Sequence, residues 1–156
     1  MDRPIKKILN ELLVDTFNEI LTIEQTALKS GKLNDLSVTE IHTIEAIGMY
    51  RARTMSEVAA DLGITVGTLT TAINNLVKKG YVERQRDEKD RRVVKIILTR
   101  AGKLAYRVHE KFHSDMIKAT IEGLSEDEEK VLERALSKLN DFFKNKYLTK
   151  NQCEKE

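Results

Sequence analysis

Two groups of residues in this 156-residue chain have types and spacing suited to chemistry on a polyanion. The first lies in "DEKDRRVVKIILTRAG", residues 87–102, where Asp90, Arg91 and Arg92 stand at the entrance to a strand-like run of Val and Ile. An arginine carried on a projecting hairpin can enter a narrow minor groove, whose potential attracts cations. A carboxylate two residues earlier, as Asp90 is to Arg92, can support the long side chain through charge-assisted hydrogen bonds. Arg84, Arg86, Arg91 and Lys95 would add phosphate contacts. The second group is Thr65, Val66, Gly67, Thr68, Thr70 and Thr71, with Asn74 and Asn75 one turn further on. Thr hydroxyls donate to phosphates or base edges, Thr methyls touch a thymine methyl, and Asn bonds adenine on two atoms. Gly67 costs a helix about 1 kcal/mol relative to Ala, which makes sense where backbone amides must approach a phosphate closely. The plainer readings are a charged tip that keeps a strand edge soluble and threonines that are merely a solvated helix face.

A third group is sparser. His109 and His113 are spaced i, i+4, so two imidazoles on one helix face could bind one metal ion. His42 and Glu24 could complete the set, making Glu24, His42, His109 and His113 a candidate zinc site. The alternatives are ordinary surface or core histidines, or a hydrogen-bonded cluster that organises an acyl pocket. "HEKFH" also fits the His-Glu-x-x-His string of zinc hydrolases, with Glu110 as base. Its place on a helix that follows a hairpin argues against that use. No glycine-rich phosphate loop and no nucleophile arrangement at a recognisable spacing is present, so the sequence does not read as an enzyme.

These groups need elements to hold them. Residues 5–28 carry Ile5, Leu9, Leu12, Leu13, Phe17, Ile20, Leu21 and Leu28 at helical spacing. Ser37-Val-Thr-Glu40, Thr54-Met-Ser-Glu57 and Ser125-Glu-Asp-Glu128 are capping boxes, in which hydroxyl and carboxylate each satisfy an orphan backbone amide. Thr65 caps a helix that stops at Gly80. "YVERQR" and "RRVVKIILT" read as the two strands of a hairpin, followed by two long helices. The predicted fold is mainly α with a small β-hairpin: a winged helix-turn-helix at 36–99, flanked by long helices at 1–35 and 100–148, with a polar tail at 149–156. A domain this small gives the apolar stripes of the outer helices too little to cover, so they are expected to pair in a two-fold symmetric homodimer.

Composition narrows the class of partner. Formal net charge is only +2, yet residues 65–100 hold nine basic side chains against four acidic ones, while the chain beyond 121 is net acidic. A local positive patch is the footprint of a polyanion partner. The N-terminal stretch is broken by Glu11, Asp15 and Glu19, unlike a signal peptide, and no apolar run is long enough to span a bilayer. Cys153, the only cysteine, sits in a polar tail, which excludes a disulfide within one chain. The chain reads as soluble and cytoplasmic, with no membrane partner. A winged-helix protein-interaction module is the alternative of another class, but it would expose apolar residues where Thr, Asn and Arg stand here.

Asp90-x-Arg92, five residues, then Leu98-Thr99-x-x-Gly102 resembles the wing signature of the MarR family of bacterial transcriptional regulators. "LSVTEIHTIEAIG" and "TMSEVAADLGITVGTLTTAINNLVKKGYVER" extend the resemblance over 36–102; the outer helices share it by pattern. The resemblance implies homodimers on pseudo-palindromic double-stranded operators, usually repressing transcription until a ligand or redox event intervenes. It implies that Asp90 supports the wing and that Arg92 enters the minor groove. Within the family, "EIHTIEAIG", "VGTLTTAINNLVKKGYVER" and "HEKFHSDM" look most like the repressors of fatty-acid biosynthesis genes in Gram-positive bacteria. That likeness implies an acyl-chain effector delivered on acyl carrier protein. Glu24, His42, His109 and His113 also match the main site of the family's zinc-responsive regulators; Ser30 stands where those carry a further cysteine ligand. Regulation through a cysteine in the first helix is not open to this chain, which has none there.

Overall fold

The computed structural model describes residues 4–148; Cys153 and the expected polar tail lie outside them. Six helices and three short strands follow one another: α1 (Pro4–Ser30), α2 (Val38–Ile47), β1 (Arg53–Thr54), α3 (Met55–Leu62), α4 (Val66–Lys78), β2 (Val82–Arg86), β3 (Val94–Leu98), α5 (Arg100–Ile121) and α6 (Glu126–Phe143). A π-helical turn, Lys144–Leu148, continues from α6. Two compact units divide the chain after Lys111.

The first unit holds the winged helix. Ile41, Ile44 and Ile47 of α2, Val58 of α3, and Leu69, Ile73 and Leu76 of α4 interlock with Val82, Ile96 and Leu98 of the sheet. Leu28 at the end of α1 and Leu33 and Leu36 beyond it join the same core. Local chemistry sets the helix starts. All three predicted capping boxes form, with Glu40, Glu57 and Glu128 accepting from the amides of Ser37, Thr54 and Ser125 at 2.9, 2.7 and 2.8 Å. Gly63, at φ 65°, ends α3 in the left-handed conformation that a residue with a Cβ adopts only at a cost.

Two features depart from the sequence reading. The hairpin is joined by β1, whose Arg53 and Thr54 pair with Ile96 and Lys95, giving an antiparallel sheet of order β1-β3-β2. Two residues carry too little pattern to announce a strand. The second strand, expected from Arg91, begins only at Val94, because carboxylates at 87 and 90 fold the intervening residues into turns.

The Leu98-Thr99-x-x-Gly102 string has a packing role. Thr99 Oγ1 donates to the carbonyl of Gly80 at 2.6 Å and accepts from the amide of Gly102 at 3.1 Å. A Cβ at position 102 would lie 2.1 Å from the Tyr81 carbonyl oxygen, so only glycine lets α5 start this close to the end of α4.

The apolar stripe of α1 is largely uncovered. Ile5, Leu9, Leu12, Phe17 and Leu21 are each about half exposed, and only Glu24 and Leu28 of that helix are buried. In the second unit α6 has no buried residue, and Val131, Leu136, Phe142 and Phe143 face outward. Among the described residues, no helix is long and apolar enough to cross a membrane.

Candidate nucleic-acid interface

Helix α4 presents its polar residues by simple geometry. At about 100° per residue, Leu69, Ile73 and Leu76 share the buried face, and Gly67, Thr71 and Lys78 emerge opposite it, with Asn74 beside them. Thr65, the N-cap, accepts from the amide of Thr68 at 3.1 Å, and the two hydroxyls lie 2.9 Å apart. Val66 and Asn75 are exposed as well. Thr70 is half-buried and its hydroxyl is spent on the carbonyl of Val66 at 2.8 Å, so it offers an outside partner less than its neighbours do. Gly67 has no internal reason to be glycine: a Cβ there would meet only its own N-cap oxygen, at 3.9 Å. Lys78, one turn beyond Asn74 on the outward side, was not among the expected site residues. Its position became evident only once the buried face fixed the helix rotation.

The wing is built by carboxylates acting on backbone. Asp87 accepts from the amides of Lys89 and Asp90 at 2.8 and 3.2 Å and also pairs with the Lys95 ammonium. Lys95 and these two amides hold the Asp87 carboxyl down at about 2, so it stays charged wherever the protein is used. The carboxylate of Asp90 accepts from the backbone amide of Arg92 at 3.0 Å, the usual outcome when an Asp side chain reaches two residues ahead. Arg86, Arg91 and Arg92 are exposed on this turn and its strand. Lys95, expected at phosphate, has its charge committed to Asp87.

Arg84 and Asn74 meet. The guanidinium of Arg84 on β2 donates to the side-chain oxygen of Asn74 on α4. Two residues expected to touch nucleic acid independently are one unit.

The far end of α4 is anchored. Lys79 Nζ lies 2.9 and 2.8 Å from the two carboxylate oxygens of Glu40 and also donates to the carbonyl of Asp35. Tyr81 donates its hydroxyl to Asp35 at 2.7 Å. Burial, then the bond to Asp35, push the Tyr81 phenol up to about 12, so it remains a donor.

In the first unit three of the candidate metal ligands converge. The carboxylate of Glu24, only 4% exposed, lies 3.5 Å from His42 Nε2 and 3.9 Å from Nε2 of the buried His109. The two imidazoles stand 5.4 Å apart, centroid to centroid. Glu45, one turn beyond His42 on α2, adds an oxygen 3.6 Å from His109 Nε2 and was not anticipated, although its i, i+3 spacing from His42 was readable. Ligand atoms of a tetrahedral zinc with bonds of about 2.0–2.1 Å sit roughly 3.4 Å apart, so the donor set fits the ion with small adjustments. His113 lies one turn along α5 from His109, with its ring edge-on to Phe112. Glu110, the base a zinc hydrolase would need, is exposed while His109 is buried, which removes the hydrolase reading of that string.

A helix with a polar outward face, beside a basic two-stranded wing, is the layout of a winged-helix DNA-binding protein. Residues 34–93 match the MarR family, and the chain belongs to it. The structure of Streptococcus pneumoniae FabT in complex with DNA is 42% identical, with a TM-score of 0.83 and coverage of 90% of this chain and 98% of that one. The uncharacterised HTH-type transcriptional regulators YfiV and YwaE of Bacillus subtilis are 28% and 30% identical, covering 88% and 76% of this chain and 92% and 68% of their own lengths. The protein is accordingly a DNA-binding transcriptional regulator and not an enzyme.

Proposed function

We propose that this regulator is a homodimeric repressor of fatty-acid biosynthesis genes whose grip on DNA responds to long acyl chains carried by acyl carrier protein. The observation that carries this reading is the 42% identity to FabT, a fatty-acid-biosynthesis repressor, over nearly all of both chains, together with the same likeness in the motifs of α2, α4 and α5. Exposed apolar stripes on α1 and α6 support the dimer, since burying the exposed half of each Leu or Phe contributes roughly 1 kcal/mol. In this reading Thr65, Val66, Gly67, Thr68, Thr71 and Lys78 face a major groove and Arg92 reaches the minor groove. Arg86 and Arg91 meet phosphates, and Thr70 contributes through its methyl. The work is done in the cytoplasm, where the chromosome lies.

Fluorescence anisotropy on a duplex the protein has selected tests the effector. Long-chain acyl carrier protein is expected to shift the binding curve where unacylated carrier does not; identical curves would reject the effector.

The convergence of Glu24, His42, Glu45 and His109 favours a second reading, in which zinc is the effector and Glu24, His42 and His109 hold it. The same titration with zinc in place of the carrier separates the two. A zinc-dependent shift that His109→Ala abolishes would favour the metal.

A further inference from the structure

Residues 87–93 join β2 to β3. Glu88, Lys89, Asp90, Arg91 and Arg92 are all exposed, whereas Asp87 is half-buried, its side chain 18% exposed. Its groups are used inside the wing. The backbone amide donates to the carbonyl of Val93 at 3.0 Å. Oδ1 accepts from the amides of Lys89 and Asp90 at 2.8 and 3.2 Å, and Oδ2 pairs with the ammonium of Lys95 on β3. Asp90, held by its own amide, accepts in turn from the amide of Arg92 at 3.0 Å. Asp87 is thus the first link in a chain of bonds that ends on the backbone of Arg92.

Charge alone gives no reason for a carboxylate at this place. A fixed negative charge on a surface that meets phosphates costs affinity through like-charge repulsion. Lys95, then the two amides, hold the Asp87 carboxyl at about 2, so the charge is present near neutral pH. We infer that Asp87 is a positioning residue for DNA binding: it fixes the turn that presents Arg91 and Arg92, and the shape it imposes outweighs the repulsion its charge brings. The inference rests on the reading in which Arg91 and Arg92 meet DNA. It makes the sign of a substitution informative, because loss of shape and loss of negative charge move affinity in opposite directions.

The test is fluorescence anisotropy with the full-length protein on a duplex it has selected. Asp87→Ala should weaken binding by about tenfold, what one charged hydrogen bond contributes, although it removes a negative charge. Asp87→Asn keeps an oxygen for the two amides and releases Lys95, so it should recover the binding that Asp87→Ala loses. Glu88→Gln removes the same charge from the exposed neighbour and should bind no more weakly than wild type. In an Arg92→Ala background Asp87→Ala should cost clearly less than it does in wild type, because a positioning residue loses its effect with the group it positions. Equal losses in the two backgrounds would mark a general folding defect and overturn the inference. So would Asp87→Ala binding at or above wild-type strength, Asp87→Asn binding as weakly as Asp87→Ala, or Glu88→Gln proving as damaging. If Arg91→Ala and Arg92→Ala both bind like wild type, the wing reading fails and takes the inference with it. If they weaken binding while Asp87→Ala does not, the inference alone falls.

Discussion

The ammonium of Lys79 lies 2.9 and 2.8 Å from the two carboxylate oxygens of Glu40, a residue 39 positions earlier that also caps α2. One carboxylate thus closes a capping box and anchors the C-terminal end of α4. Lys79→Met and Glu40→Gln should each destabilise the protein by about 1–3 kcal/mol, the range for hydrogen bonds to charged groups. The double variant should cost little more than either single change, because the two share one interaction. Urea denaturation of all four proteins checks this; strictly additive losses would mean the pair is not coupled.

The same pair makes a pH prediction. Burial raises the Glu40 pKa, but the bond from Lys79 and the amide of Ser37 outweigh it, leaving the carboxyl below its ordinary 4.5. A carboxyl depressed in the folded state adds stability above the unfolded-state value and loses it as pH falls through the folded-state value. The deficit of Glu40→Gln against wild type should therefore be full near neutrality and shrink in acid, below about pH 4.5. A deficit that is the same at pH 7 and pH 3 would contradict the assignment.

Gly67 separates stability from function. Nothing inside the protein crowds a side chain at that position. Gly67→Ala should leave the melting temperature unchanged or raise it, by up to about 1 kcal/mol of stability, while weakening DNA binding. Binding at wild-type strength would show that this turn does not approach the duplex closely.

Asp90→Asn tests what the wing carboxylate does. An Asn oxygen can accept from the amide of Arg92 as Asp90 does, so the variant should bind operator nearly as well as wild type. Arg92→Ala should bind every operator more weakly with the dimer intact, and Arg91→Ala should lower the salt slope by about 1. If Asp90→Asn is as damaging as Arg92→Ala, the carboxylate is bracing the guanidinium after all.

Gly102→Ala should be among the most destabilising single changes, by about 3 kcal/mol, as an overpacked contact against the Tyr81 carbonyl forces the start of α5 away. Thermal unfolding gives the answer directly.

The contrast between these residues shows what a sequence exposes. Helix starts at Ser37, Thr54 and Ser125 were readable because each box is complete within four residues. The buried side of α4 was readable because Leu69, Ile73 and Leu76 repeat at the helix period. Lys79 to Glu40, Arg84 to Asn74 and Glu45 to His109 were not, because each joins elements that only the folded core brings together. The bond from the Arg92 amide to the Asp90 carboxylate was not legible either. Residue spacing says who can reach whom; it does not say whether backbone or side chain is the nearer donor.

The most direct measurement of the central claim is the sequence the purified protein selects from random double-stranded DNA at physiological salt. A dimer carrying two copies of α4 and the wing should enrich a two-fold symmetric site with half-sites about 10–10.5 base pairs apart or a multiple of that, and lose the enrichment when Arg92 is replaced by Ala. A lone half-site, or a pool no different from its input, would contradict it.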